Sequence, residues 1–226
     1  TGIDDNATST AITIDASEIV TVGSTVSPAL KVNRQSANGD AYIELQSNGT
    51  KVANLVGSSV GGFSVHTGAS GTLTTALSID NAGIVTKPLQ PAFSASAVAT
   101  NNVPINTWQT VNLTEIFDNN ADFNPSTDAF TAPVGGKYQL NGSIRVDNLQ
   151  EASAYMYIRI DTSNRSYRSI VSPPAFDSTP QYWSVTVSHL ADMDAGDTAT
   201  LTFYISGGTV GADIHDESKF SGFLAC

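Results

Sequence analysis

From residue 136 to 147 apolar and polar side chains alternate without a break. Tyr138, Leu140, Gly142, Ile144 and Val146 fall on one face, and Gln139, Asn141, Ser143, Arg145 and Asp147 on the other. A period of two is that of a β-strand with one face in a core. The same spacing predicts strands over residues 92–99 and 108–113, over Tyr155-Met156-Tyr157-Ile158-Arg159-Ile160, and over 167–171. It also places Trp183, Val185 and Val187 on one face, as it does Leu201, Phe203 and Ile205, and finally Phe220, Gly222 and Leu224. No stretch has helical periodicity. Many short strands separated by turn residues predict an all-β sandwich or barrel.

Residues 1–90 alternate too, but in shorter runs that repeat. Ala11-Ile12-Thr13-Ile14-Asp15-Ala16-Ser17-Glu18-Ile19-Val20-Thr21 returns as Ala76-Leu77-Ser78-Ile79-Asp80-Asn81-Ala82-Gly83-Ile84-Val85-Thr86, identical at six of eleven positions, with a shorter echo at Ala29-Leu30-Lys31-Val32-Asn33. Each unit reads as a strand, a polar turn and a second short strand. Asn48-Gly49 and Asp80-Asn81-Ala82-Gly83 supply residues that tolerate positive φ. Tyr42-Ile43-Glu44-Leu45 and Phe63-Ser64-Val65 add further strands. A lone hairpin of this kind is marginal in water, so such units are expected to stack or to intertwine with sister chains. Pro88 and Pro91 mark the boundary, because neither can join a central ladder.

Composition sharpens the division. Of 18 aromatic residues only Tyr42 and Phe63 precede residue 91, whereas 10 of 18 glycines do. The first part therefore buries little by itself. The second, 91–226, is long enough for one ordinary core. Charge is −11 overall, with four cations and seven anions before residue 91 and six and fourteen after it. An acidic chain argues against nucleic acid, which is bound by Lys and Arg, and against docking on an anionic bilayer. No apolar run nears the ~20 residues that span a membrane, so no membrane insertion is expected. The single cysteine, Cys226, excludes an intrachain disulfide and reads as a semi-buried strand-end residue or as an interchain or reactive thiol. The chain opens at Thr1 without a visible signal peptide, and reads as a processed product or a fragment.

Three ordered blocks, Pro91-Ala92-Phe93-Ser94-Ala95, Phe130-Thr131-Ala132-Pro133-Val134-Gly135-Gly136-Lys137-Tyr138-Gln139-Leu140 and Lys219-Phe220-Ser221-Gly222-Phe223-Leu224-Ala225-Cys226, resemble the globular head of complement C1q and its tumour-necrosis-factor-like relatives. Met193-Asp194-Ala195-Gly196-Asp197-Thr198 resembles that family's Leu-x-x-Gly-Asp loop. The resemblance implies a jelly-roll β-sandwich over 91–226 that forms homotrimers and binds without catalysis, with both chain ends at its base. The repeats of 1–90 resemble bacteriophage tail-fibre shafts, which implies an intertwined trimeric β shaft. Cys226 stands where relatives of the head often carry an aromatic residue.

Counting antiparallel strands from a base at residue 91 places the connections 147–153, 172–181 and 207–218 at the far end, and 162–166 and 191–197 at the base. Far-end loops on a rigid scaffold are the expected binding surface. Candidate receptor contacts are Asp147, Asn148, Gln150, Glu151, Phe176 and Asp177; Phe176, in a proline-stiffened loop, is expected to be exposed. Asp213, His215, Asp216 and Glu217 either ligate a divalent ion, with Ca²⁺ implied because some relatives of the head bind it, or form a solvated acidic loop; no other cofactor is expected. Arg165, Tyr167 and Arg168 read as a carbohydrate or phosphate patch, or as a plain polar strand face. Asp192, Asp194 and Asp197 pair no acid with base at a far-end cleft, and His66, His189 and His215 are scattered without a nucleophile motif, so no enzyme is expected. The resulting expectation is a phage tail-fibre head on the virion that attaches to a host-cell surface glycan or protein. The alternative is a structural trimerisation cap of a virion fibre or a bacterial surface adhesin.

Overall fold

The computed structural model describes residues 12–14, 20–22, 39–69, 71–209 and 211–226, and the echo at 29–33 lies outside them. Two compact units divide between Pro88 and Leu89.

In the first unit, β1 (Ile12–Ile14) and β2 (Val20–Val22) form a hairpin. β3 (Ala41–Ser47), β4 (Thr50–Gly57), β5 (Phe63–Thr67), β6 (Thr74–Ile79) and β7 (Val85–Thr86) form a five-stranded antiparallel meander. The two long repeats pair at equivalent positions, Ile14 with Val20 in the first and Ile79 with Val85 in the second. The second turn is closed by Asp80, whose Oδ1 accepts the amides of Ala82 and Ile84 at 2.9 Å, with Gly83 at φ +84°. Register puts Ile43, Leu55, Phe63, Val65, Leu77, Ile79 and Val85 on one face of the meander, and Tyr42 and Val56 with Glu44, Asn54, Ser64, His66 and Ser78 on the other. Among the described residues of this unit only Val56 is a buried apolar side chain, and Ile43, Leu45, Leu55, Phe63 and Val85 are exposed. Among the described residues nothing buries the Ile43–Leu55–Phe63 face.

The second unit holds β8 (Ala92–Ala97), β9 (Gln109–Thr110), β10 (Leu113–Asp118), β11 (Phe123–Asn124), β12 (Ala129–Thr131), β13 (Gly136–Asp147), β14 (Ser153–Thr162), β15 (Ser166–Val171), β16 (Tyr182–Met193), β17 (Thr198–Gly207), β18 (Asp213–Ile214) and β19 (Lys219–Leu224). One sheet runs β10-β8-β19-β13-β16, with β18 extending the β13 edge; the other runs β11-β12-β17-β14-β15, with β9 on β17. This is a jelly-roll-like sandwich. Its core takes Tyr138, Leu140, Ile144 and Val146 from β13, Met156, Ile158 and Ile160 from β14, Leu201, Phe203 and Ile205 from β17, and Phe93 and Phe220. On β13, β17 and β19 these are the side chains that alternation groups on one face. The strand expected over 108–113 is instead two pieces, because β9 pairs β17 in one sheet and β10 pairs β8 in the other, and the chain crosses between sheets at Val111 and Asn112.

Both chain ends of this unit lie together. Leu224 donates its amide to Pro91 O at 3.0 Å, and Lys137 to Cys226 O at 2.7 Å. Cys226 is exposed and lies past the end of β19, not semi-buried in it. The ladder from Gly136–Met193 to Asp147–Tyr182 then carries β13 and β16 to the opposite end, where Ser153 faces Gly207.

Asp122 carries a testable cost of folding. Its Oδ2 is buried without a partner, and burial raises its carboxyl above the ordinary range, with Asp118 adding to the rise. A carboxyl raised in the folded state costs stability once pH climbs from its unfolded value through its folded one. Asp122→Asn is expected to raise the urea midpoint at pH 7 and to change it little at pH 3. Equal shifts at both values would remove the charge from the explanation.

Candidate functional site

Three connections meet at the end opposite the chain termini, and they stand on an apolar floor. Leu149, Val103, Ala212 and Ile214 are buried, as is Pro173 at the start of a single 3₁₀ turn, Pro173–Ala175. Burial of these side chains orients the polar ones outward. Asn148, at φ +59°, turns the chain after β13; its amide donates to Gln181 O at 3.2 Å and its Nδ2 to Asp213 Oδ2 at 3.0 Å. Asp213 Oδ1 accepts the Asn102 amide at 2.8 Å. Gln150 Oε1 accepts the Thr209 amide at 2.8 Å, and the Glu151 amide donates to Thr179 Oγ1 at 3.3 Å. The loops expected at the far end are therefore bonded to one another.

Arg145 organises one side of the cluster. Its Nε and Nη2 donate to the two carboxylate oxygens of Asp147 at 3.0 and 3.2 Å, its Nη1 to Glu217 Oε2 at 2.8 Å, and its guanidinium lies 4.8 Å from the Tyr182 ring centre. Arg145 holds the Glu217 carboxyl below the usual carboxylate range. A lowered carboxyl contributes stability above its unfolded value, and that contribution is lost as pH falls through the folded value. Acidification below the ordinary Glu range is thus expected to lower the amide-exchange protection factors of His215 and Ser218, and Arg145→Gln should produce the same loss of protection at neutral pH. Unchanged exchange in the variant would mean that the Arg145 link does not hold the loop.

Among the described residues no group of three or more His, Cys, Asp and Glu side chains is placed to hold an ion. Asp213 turns to Asn102 and Asn148, Glu217 to Arg145, and His215 Nδ1 to the Glu217 amide at 3.2 Å and Asp216 Oδ1 at 2.8 Å. Asp147 is likewise taken by Arg145, which leaves Glu151, Asp177 and Asp216 as exposed acids. Phe176 is not exposed as expected. It is half-buried against Trp183, ring centres 4.6 Å apart, because Trp183 at the outer end of β16 offers it an apolar surface. Tyr167 leaves the Arg165–Arg168 patch and stacks on His189 at 3.9 Å, since alternation points it inward between Ser166 and Arg168. At the base, Asp197 Oδ2 accepts the Asp194 amide at 2.8 Å and Asp192 pairs with Lys137 at 2.5 Å, so these carboxylates close a turn and a sheet edge. Arg145, Asn102 and Thr179 belong to the cluster without having been read from the sequence; only the asparagines of 101–106, residues prone to positive φ, hinted at a built loop there.

The second unit is thus a two-sheet sandwich with both of its chain ends at one pole and interlocked loops at the other. A protein-family model, the C1q domain, matches residues 92–225. The chain belongs to the C1q domain family. Domains of this family are typically trimeric, bind ligands and are generally non-catalytic. Among solved structures, the globular domain of zebrafish complement 1qA is similar at 20% identity and TM-score 0.45, over 61% of this chain and 98% of that one. Murine APRIL at pH 8.0 is similar at 15% identity and TM-score 0.44, over 60% and 98%. No curated protein matches the chain in sequence.

Proposed function

We propose that this chain belongs to a phage tail fibre, a homotrimeric attachment protein on the virion that binds a host-cell surface glycan or protein without catalysis. The observation that carries the reading is the interlocked loop cluster of 147–153, 172–181 and 211–217 at the pole opposite both chain ends of the sandwich. Such a pole is free to meet a receptor, and loops tied to one another lose little freedom on contact. Three copies on one head would gain by effective concentration. The apolar face of β3–β7, left open among the described residues, supports self-association of the first unit as well, since a small sheet with one bare apolar face gains from burial against sister chains.

Light scattering is expected to give three times the 23.6 kDa chain mass. Alanine at Asn148, Glu151 and Asp177 together is expected to lower attachment to host cells about tenfold or more, because a loss per site is multiplied across three sites. A trimer that attaches to no cell would favour the structural-cap reading, and a monomer would end the fibre reading.

A further inference from the structure

The outer face of the β14–β17 sheet carries a second feature. Register places Tyr157 opposite Tyr204 on one side and Ile170 on the other, and Trp108 just precedes the β9 residues that pair with β17. The rings form one cluster: Trp108 lies 5.3 Å from Tyr204 and 6.1 Å from Tyr157, and Tyr155 lies 5.0 Å from Tyr157. Trp108 and Ile170 are exposed and the three tyrosines half-buried. Arg159 sits 3.6 Å over the Trp108 ring and fixes it, while Arg168 lies 5.3 Å from the Tyr157 ring centre.

The polar groups of this face distinguish ligands. Asp161, its one carboxylate near the rings, is held by Arg159 at 2.6 Å and Thr202 at 2.8 Å. Arg168 has no carboxylate partner among the described residues. None of the Tyr155, Tyr157 and Tyr204 hydroxyls makes a hydrogen bond within the described protein, and none is a buried unpaired atom, so all three reach solvent. An apolar partner covering this face would strand three hydroxyls and one guanidinium, each costly to desolvate unpaired. A saccharide does not: its C–H faces lie on aromatic rings, its hydroxyls pair the phenols, and an acidic substituent pairs Arg168 as a charge-assisted bond.

We propose that this face binds an acidic saccharide, with Trp108, Tyr157 and Tyr204 as the stacking surface and Arg168 as the partner of a carboxylate. The site is distinct from the loop pole and does not depend on it. The test is titration of the intact protein with oligogalacturonate and with oligoalginate, both carboxylated, and with a neutral dextran oligomer, followed by calorimetry. The expected result is binding of at least one acid, weakened about tenfold or more by Trp108→Ala and by Arg168→Glu, weakened by added salt, and unchanged by Phe176→Ala. Tyr157→Phe, which keeps the ring and removes one hydroxyl, guards against a folding artefact and should weaken binding by a smaller factor. Binding of neither acid, equal binding of dextran, or indifference to Trp108→Ala and Arg168→Glu would each overturn the proposal. So would a change of solution mass in those variants, which would make the face a contact between copies. Loss of host attachment in the loop variant with saccharide binding intact would separate this site from the loop-pole reading.

Discussion

Replacing Phe93 by alanine is expected to lower the unfolding free energy by about 3–5 kcal/mol, the range for an aromatic removed from a closed core. Phe93 is 1% exposed, on the inner face of β8. It stacks on Phe130 at 4.6 Å and Phe123 at 5.4 Å and meets Phe220 edge-on at 5.1 Å. It therefore joins three strands of both sheets near the pole where the chain enters and leaves. Its loss opens a cavity that rings on stiff strands fill poorly. Urea denaturation of 89–226 within the intact chain measures it, and a loss below about 1 kcal/mol would mean that the neighbours collapse into the space.

Gly211→Ala should be nearly as damaging, by about 2–3 kcal/mol or more, the upper end for overpacking a closed site. A Cβ at Gly211 would lie 1.9 Å from Val103 O and 2.8 Å from the carbonyl carbons of Asn102 and Val103. Those atoms are backbone and cannot swing aside. They belong to a ladder in which Val103 donates to Ala212 O and Thr100 to Ile214 O, both at 2.9 Å. The substitution should push the 211–217 connection off the sandwich, break the Asp213 link to Asn102 and Asn148, and remove amide-exchange protection at Thr100 and Val103. Retained protection at both would show that the two backbones have room the structure does not give them.

The two predictions mark what each level of description supplies. Phe93 lies in a strictly alternating strand, and its burial follows from period two: Phe93, Ala95 and Ala97 are buried while Ser94 and Ser96 are not. The same spacing grouped the inward side chains of β13, β17 and β19, because successive side chains of a strand point to opposite faces; β14 carries apolar residues on both faces, and only packing decides that Met156, Ile158 and Ile160 are the buried ones. The hairpins of the two long repeats follow equally from local patterning, turn residues and spacing. So does the placement of the loops at two poles, since antiparallel strands reverse the chain at each turn.

Gly211 is different. Nothing in its neighbours announces that residue 103 passes beneath it, and nothing around Phe176 announces Trp183. Arg145 sits on a polar face like any other exposed cation until the fold brings Glu217, 72 positions away, to 2.8 Å. That pairing, with the hydrogen bonds of Asp213 to Asn102 and Asn148, commits two side chains of the acidic run to partners outside it. The aromatic face likewise draws Trp108, just before β9, Tyr157 from β14 and Tyr204 from β17, far apart in sequence. By itself, then, the sequence determined the all-β class, the inward and outward faces and the family of the sandwich, because these rest on local periodicity and on contiguous motifs. Which polar side chains neutralise each other, which stay free for a ligand and which sheet face carries a continuous row of rings were decided only by tertiary structure, because hydrogen bonds and stacking depend on distances that strand register and loop packing set.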